Sequence, residues 1–500
     1  MCVQSRWHSE PVHLFTIDQN TFIKNQKGYP VLGKAHQALI SRFMRLRTAP
    51  WILLCDVGPI PGLETLNSSN LSGSEYPSLA QAAASNKKHH DPTPHLSYMR
   101  NLQQRQPPQT ALERFGTGYQ DYLQAPLQPL TVNLESITYE VFEKDPIKYE
   151  WYERAIAKAL SDWAEQKKPT SNPDGRVVVA VVGAGRGPLV TRALKASSQS
   201  GIGIDLWVVE KNPNAFVLLQ RHNQTLWEGK VNLVHSDMRA WKGPLVHKTT
   251  SVPTAPVGQS LGIEDQLLYT PDTTKDTAAP SSTDITESTH TKVDIVVSEL
   301  LGSFGDNELS PECLDGVNHL LNPVHGISIP ASYTAHLTPI SAPKLHADVT
   351  NQTTSNPAAP ETPYVVMLHA IDYLSSDQVE NSTNNVRASV ATVPSEAAKP
   401  FVQTAWSFSH PNRDIPPQST STSMISNTHN VRRTRLTFPV SNRGVCHGLA
   451  GYFETVLYGD IELSTNPVTM DSKSSNMISW FPIFFPLKVR QASFQLKSLY

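Results

Sequence analysis

Val177-Val178-Val179-Ala180-Val181-Val182-Gly183-Ala184-Gly185-Arg186-Gly187-Pro188 is the stretch that decides the fold. Six apolar residues in a row, without polar alternation, read as a strand covered on both faces, and such strands belong to parallel sheets. The glycines that stop the run let the backbone turn sharply and approach a ligand that a Cβ would strike, which is where open α/β sheets hold nucleotides. Downstream, Leu189 to Ala196 suits a helix and Leu206-Trp207-Val208-Val209 a second buried strand ending at Glu210. Val293-Asp294-Ile295-Val296-Val297 is a later strand ending at Ser298-Glu299. The alternation predicts an α/β, doubly wound Rossmann-like domain. Upstream, Asp145-Pro146 supplies an N-cap and a first-turn proline. The spacing of Ile147, Tyr149, Trp151, Ile156, Ala159 and Leu160 then predicts a helix to about Gln166.

From about Pro330 the pattern changes to short runs split by turn residues: 364–368, 436–440 and 451–458. These predict an antiparallel β domain. The first 130 residues hold apolar pieces such as Trp51-Ile52-Leu53-Leu54-Cys55 but few elements. Residues 67–95, 246–291, 350–361 and 375–430 are rich in Ser, Thr, Asn and Pro, with few aromatics and no apolar period. They are expected to be disordered insertions.

A chain of 500 residues has room for two or three domains. Its 42 basic and 44 acidic residues leave a net charge of −2 with no dominant run, so no electrostatic footprint for nucleic acid or anionic membrane is present. Selectivity must come from a site. Cys2, Cys55, Cys313 and Cys446 lie far apart without a C-x-x-C, which argues against structural zinc or a disulfide framework. No metal is expected. Neither a signal peptide nor a run of some 18 apolar residues is present, so a soluble intracellular protein, free of the membrane, is expected.

The glycine turn is not a dinucleotide fingerprint, because the third glycine of G-x-G-x-x-G falls on Pro188. Glu210, 25 residues after Gly185, stands where an acid accepts hydrogen bonds from both ribose hydroxyls. Ser236-Asp237-Met238-Arg239 is similar to an adenine-contacting element, with Asp237 facing the exocyclic amine and Met238 on the ring. Further on, Glu299 and Glu308 stand nine residues apart after a strand, more than two helical turns, so a loop must return the chain for them to converge. Gly302 and Gly305 permit that return. Two carboxylates suit a guanidinium, which is planar, permanently cationic and forked. Pairing moves positive charge away from one terminal nitrogen and aims its lone pair at a sulfonium methyl, while one glutamate takes the released proton. A methyltransferase acting on small molecules or nucleic acid would not need this acid pair.

Tyr139 through Tyr149, Gly183 through Val190, Val209 through Ala215, Glu299 through Asp315 and Ser479 through Pro482 resemble type II protein arginine methyltransferases. The resemblance covers most of 96–490 outside the insertions and, weakly, the first 65 residues. It implies S-adenosylmethionine as donor, held by Tyr139, Lys148, Gly183, Gly185, Arg186, Glu210, Asp237 and Met238. Glu299 and Glu308 would be catalytic. Phe142 would stack on the target guanidinium and permit the symmetric product; Trp480 and Phe481 would wall it, with Gln124 and Ser303 as further substrate contacts. Cys313 would be a packed cysteine near the site.

The implied organisation is a partial TIM-barrel-like region over 1–130, a methyltransferase domain over 131–330 and a β-sandwich or barrel for substrate and oligomerisation over 331–500. Both ends are expected to be cut short relative to the family, which puts the implied WD-repeat propeller partner and homo-oligomer in question. The rival reading is a catalytically impaired scaffold that keeps the donor pocket. Expected substrates are Arg/Gly-rich segments such as histone tails and spliceosomal proteins, in cytoplasm and nucleus.

Overall fold

The structure, a computed structural model, describes residues 12–46, 49–57, 93–251, 284–376, 399–414, 427–440 and 444–493, with Trp7 and Glu10. At the N-terminal end Leu14–Asp18 (β1) pairs in parallel with Trp51–Cys55 (β4). The crossover between them holds a small hairpin, Phe22–Lys24 (β2) with Pro30–Leu32 (β3), and the helix Lys34–Met44 (α1). Ile17, Leu32 and Ile40 from this βα unit meet Met99 of Pro94–Gln104 (α2) in a small core. Its outer edge is apolar and open: Trp51 is 82% exposed. After the short helix Ala111–Phe115 (α3), the chain crosses to the C-terminal domain, where the Asp121 carboxylate accepts from the His369 and Ala370 amides.

The central domain comprises Ser136–Glu143 (α4), Pro146–Glu165 (α5), Val177–Val182 (β5), Pro188–Ser200 (α6), Ile204–Glu210 (β6), Pro213–Thr225 (α7) and Val231–His235 (β7). Then follow Leu245–Ser251 (β8), Asp284–His290 (β9), Ile295–Val297 (β10), Ser310–Asn318 (α8) and Ile327–Ile329 (β11). Its sheet runs β11-β10-β5-β6-β7, all parallel. The order reverses at β5, whose run of valines has a physical reason. Val177, Val179 and Val181 pack with Tyr152, Ile156 and Leu160 of α5, while Ala180 and Val182 pack with Val296 and with Leu314 and Val317 of α8. With both faces covered, a polar residue would have no outlet, and each buried Val, Ile or Leu contributes about 1.5–3 kcal/mol.

Asp294, an acid immediately before β10, is wholly buried. It accepts from the Ser171 amide (3.0 Å) and hydroxyl (2.6 Å), the Val178 amide (3.0 Å) and Asn322 Nδ2 (3.2 Å), stitching the start of β10 to the start of β5 and the turn before β11.

The C-terminal domain contains Ser332–Ser341 (β12), Pro343–Gln352 (α9), Tyr364–Val365 (β13), Asp372–Tyr373 (β14), Gln403–Ser409 (β15), Gly444–Tyr458 (β16), Ile461–Ser464 (β17), Met470–Lys473 (α10) and Ile483–Ser493 (β18). The sheet is antiparallel, β13-β18-β16-β12-β14, with β15 on β12 and β17 on β16. Among the described residues no helix is long and apolar enough to cross a membrane.

Several expected insertions are partly ordered. Residues 350–361 end α9 and form a 3-10 turn at Ala359–Glu361, because Leu345, Val349, Ala359 and Tyr364 share a core that a Ser/Thr/Asn-rich composition concealed. Within 375–430, Gln403–Ser409 forms a ladder on β12 and buries Phe408 against Tyr333. Both edges of 246–291 belong to one antiparallel ladder, β8 on β9. Residues 436–440 are not a strand, although Phe438 is buried beside Phe401. The rest of those insertions, 67–92, 252–283, 377–398 and 415–426, lies outside the described residues.

Replacing Asp294 by Ala leaves several buried donors unsatisfied. The expected loss is roughly 2–4 kcal/mol, measured by chemical denaturation, with Asp294→Asn recovering part of it; a change within error would show that the cluster carries no stability.

Candidate active site

Neighbouring strands deliver their C-terminal ends to one crevice. β5 pairs with β10 on one side, Val181 opposite Val297, and with β6 on the other, Val182 opposite Val209. The chain therefore leaves the sheet at Gly183, Glu210 and Ser298-Glu299 along one edge, at the point where strand order reverses. A cavity of about 620 Å³ opens there.

On one flank lies the glycine turn. Gly183 and Gly185 have φ of +70° and +55°, and a Cβ on Gly185 would come within 2.8 Å of the Tyr139 ring. Glu210 is buried; its carboxylate accepts from the Gly185 amide (2.7 Å) and the Asn212 amide (2.6 Å). Burial nevertheless raises its pKa, against the pull of those amides. Asn212 caps α7 through its carbonyl and donates its Nδ2 to Leu134 O and the Tyr139 hydroxyl, which holds the segment leading into α4 over the turn. Arg186 reaches the same helix, pairing with Glu143 at 3.2 Å and donating to Ser136 O. Asp237 sits at the far end beside Met238, but its carboxylate takes the fork of Arg239 at 3.0 and 2.7 Å, which lowers its pKa.

The opposite flank is acidic and aromatic. Gly302 and Gly305 exchange backbone hydrogen bonds (3.1 and 2.8 Å), closing the tight return between the two glutamates. Asn307 fills the space a Gly302 side chain would take and accepts from the Phe304 amide. Leu309, at φ +63°, then starts α8, leaving Glu308 facing the cavity. The Glu308 carboxyl has no hydrogen-bond partner among the described residues; burial, and next the charge of Glu299, push its pKa up to about 8. Glu299 is paired instead with Lys148 at 3.2 Å. Burial, the largest single influence, would lower the lysine pKa, but the charge and hydrogen bond of Glu299, with Tyr149 and Asp145 nearby, together raise it. Phe142, Tyr149 and Trp480 surround the ammonium, 5.2, 4.8 and 4.7 Å from their ring centres.

Trp480 comes from the C-terminal domain, and two contacts seat it. Its Nε1 donates to Leu301 O at 2.8 Å, and Asp145, whose Oδ1 caps α5, accepts with Oδ2 from the Ile478 and Ser479 amides at 2.9 and 2.6 Å.

With this geometry stand three family models that match end to end: PRMT5 TIM barrel domain over 1–105, PRMT5 arginine-N-methyltransferase over 110–329 and PRMT5 oligomerisation domain over 332–497. The chain belongs to the PRMT5 family. Protein arginine N-methyltransferase skb1 of Schizosaccharomyces pombe is 39% identical over 97% of this chain. Protein arginine N-methyltransferase 5 of Xenopus laevis is 37% identical over 97% of it, and that of Drosophila melanogaster 30% over 97%. The PRMT5-family chain spans 60%, 59% and 59% of those relatives' lengths. A solved structure, the Trypanosoma brucei PRMT1 enzyme-prozyme heterotetrameric complex with AdoHcy, is a loose likeness: 15% identity, TM-score 0.40, covering 72% of this chain and 84% of that one.

The structure brings every residue singled out in the PRMT5-family sequence to the one cavity: Tyr139, Lys148, Gly183, Gly185, Arg186, Glu210, Asp237 and Met238; Glu299 and Glu308; Phe142, Gln124, Ser303, Trp480 and Phe481. Gln124 bridges to Val365 through its backbone, and Phe481 leans on Phe115. Cys313 also lines it, its thiol pushed up to about 11 by burial. Sequence reasoning missed the second oxygen of Asp145, Tyr149 beside Lys148, and the exposed apolar rim of Ile137 and Val141. The Asp145-Pro146 cap was a signal for the first of these; its remote partners left none.

Asp145→Ala should free the tryptophan loop as well as the cap. Hydrogen exchange at Ile478 and Ser479 is expected to quicken at least about tenfold, with a stability loss of ~1–2 kcal/mol from the cap; unchanged protection would show that the loop is held without this carboxylate.

Proposed function

We propose that this chain is a protein arginine N-methyltransferase that moves methyl groups from S-adenosylmethionine to guanidinium nitrogens, giving monomethyl- and symmetric dimethylarginine. One observation carries the reading: Glu299 and Glu308 converge on a cavity shared with the glycine turn and Glu210, between Phe142 and Trp480.

The cavity fits the donor. Gly183 and Gly185 keep the floor clear of side chains, Glu210 offers a buried carboxylate toward ribose hydroxyls, and Met238 an apolar face for adenine. Lys148 would take the donor's carboxylate, and Asp237, already forked to Arg239, keeps lone pairs for an exocyclic amine. When bound, the donor supplies an electrophilic methyl on a sulfonium. The chain's own residues do the rest. Glu299 and Glu308 orient the guanidinium in its plane, and Phe142 and Trp480 exclude water from its faces. Attack of one terminal nitrogen forms the N–C bond, the S–C bond breaks, and the proton lost from nitrogen passes to Glu308.

A carboxyl titrating near 8 must ionise before it can hold a cation, so binding the peptide near neutrality releases a proton. Substrates would be Arg/Gly-rich segments such as those of histone tails and spliceosomal proteins, in cytoplasm and nucleus. Residues 332–497 would serve self-association, and a WD-repeat propeller would be a partner of the barrel region.

Labelled donor with an Arg-Gly-rich peptide should yield monomethyl- and symmetric dimethylarginine. Glu308→Gln is expected to lower kcat by on the order of 10²–10³-fold while S-adenosylhomocysteine still binds; full turnover in that variant would remove the acid pair from the mechanism. In the unmodified enzyme kcat/KM for the peptide should rise about tenfold per pH unit below 8 and level off above it, because the ionised fraction of Glu308 grows with pH. A flat profile between pH 6 and 9 would argue against this role.

A further inference from the structure

The place best built for a planar cation is filled by the protein's own ammonium. Lys148 Nζ stands 3.2 Å from Glu299 and within 4.7–5.2 Å of the ring centres of Trp480, Tyr149 and Phe142, with its residue 1% exposed. A carboxylate beside aromatic faces is also what an arginine side chain seeks. A guanidinium entering this niche would meet a buried ammonium of like charge on Glu299, so the lysine contact and a bound guanidinium oppose each other.

Lys148 can leave only if another anion receives it, since stripping one partner from a buried pair strands a charge. Among the described residues no neighbouring carboxylate is available. Both oxygens of Asp145 are taken by four backbone amides. Glu143 is paired with Arg186. Glu308 is held toward its neutral form by burial and by Glu299. The anion has to come from outside, and a donor built on an amino acid carries one. The lysine is on the first turn of α5, its amide fixed by Asp145, and its four-carbon stem lets the ammonium swing without moving the helix.

We propose that Lys148 is a built-in occupant of the acceptor niche, drawn off Glu299 by the carboxylate of the methyl donor, so that the arginine site is completed only after the donor has bound. The inference rests on the methyltransferase reading above and adds an obligatory coupling to it. Each cation changes partner in turn, so the buried charges stay balanced throughout: donor carboxylate takes Lys148, and Glu299 takes the guanidinium.

The test measures equilibrium binding of a fluorescent Arg-Gly peptide to the whole chain under three conditions: alone, with saturating S-adenosylhomocysteine, and with saturating 5′-methylthioadenosine. The last shares the adenosine and sulfur but lacks the amino-acid end. S-adenosylhomocysteine is expected to tighten peptide binding by about tenfold or more, a usual scale for linked sites, while 5′-methylthioadenosine changes it less than about twofold. Lys148→Met, which removes the charge and keeps the bulk, should bind peptide without any nucleoside as tightly as the unmodified protein does with S-adenosylhomocysteine. A purely structural lysine would not produce that gain. Equal tightening by both nucleosides, or none by either when both bind, overturns the proposal alone; failure of S-adenosylhomocysteine to bind overturns it together with the methyltransferase reading. The two nucleosides decide the matter even if the variant does not fold.

Discussion

The oxygens of Asp145 are shared between two domains. One caps α5, the helix that carries Lys148 and Tyr149 and backs β5; the other holds the amides just before Trp480, which belong to the C-terminal domain. A buried carboxylate with four amide donors is satisfied only when both domains are in place, so a local capping interaction becomes an interdomain one. The Trp480 indole, donating to Leu301 O, fixes the other side of the same junction. Without it the cavity would have a floor and one wall.

On that frame the site separates its charges. The flank at the glycine turn presents backbone, a glycine floor and one buried acid, Glu210, whose partners are amides. The other flank crowds two acids and one lysine among aromatic rings. Glu299 and Glu308 stand close enough to influence each other, and the Lys148 ammonium is paired with Glu299. Their environments therefore diverge, Glu299 ion-paired and Glu308 pushed toward neutrality, an asymmetry that suits an orienting group and a proton acceptor.

Particular elements show what was legible along the chain and what was not. The valine run, the cap at Asp145 and the return through Gly302 and Gly305 each have a local cause, and each forms where the local pattern put it. Gln403–Ser409 and the turn at Ala359–Glu361 were misjudged because composition averages over a window, whereas a ladder on β12 or a buried Ala359 is decided by what lies opposite. Asp294 is the same lesson reversed: an acid in an apolar run looks like a flaw until Ser171, Val178 and Asn322 surround it.

The sequence by itself determined the α/β class, the glycine turn, the acids at strand ends and the chemistry that paired carboxylates serve, because these depend on local dihedral freedom, periodicity and residue type. Only the tertiary structure decided that Lys148 lies against Glu299, 151 positions away, that Arg239 forks onto Asp237, and that the loop at Trp480 closes the cavity. Those outcomes depend on which charges end up buried together, and burial belongs to the packed chain as a whole.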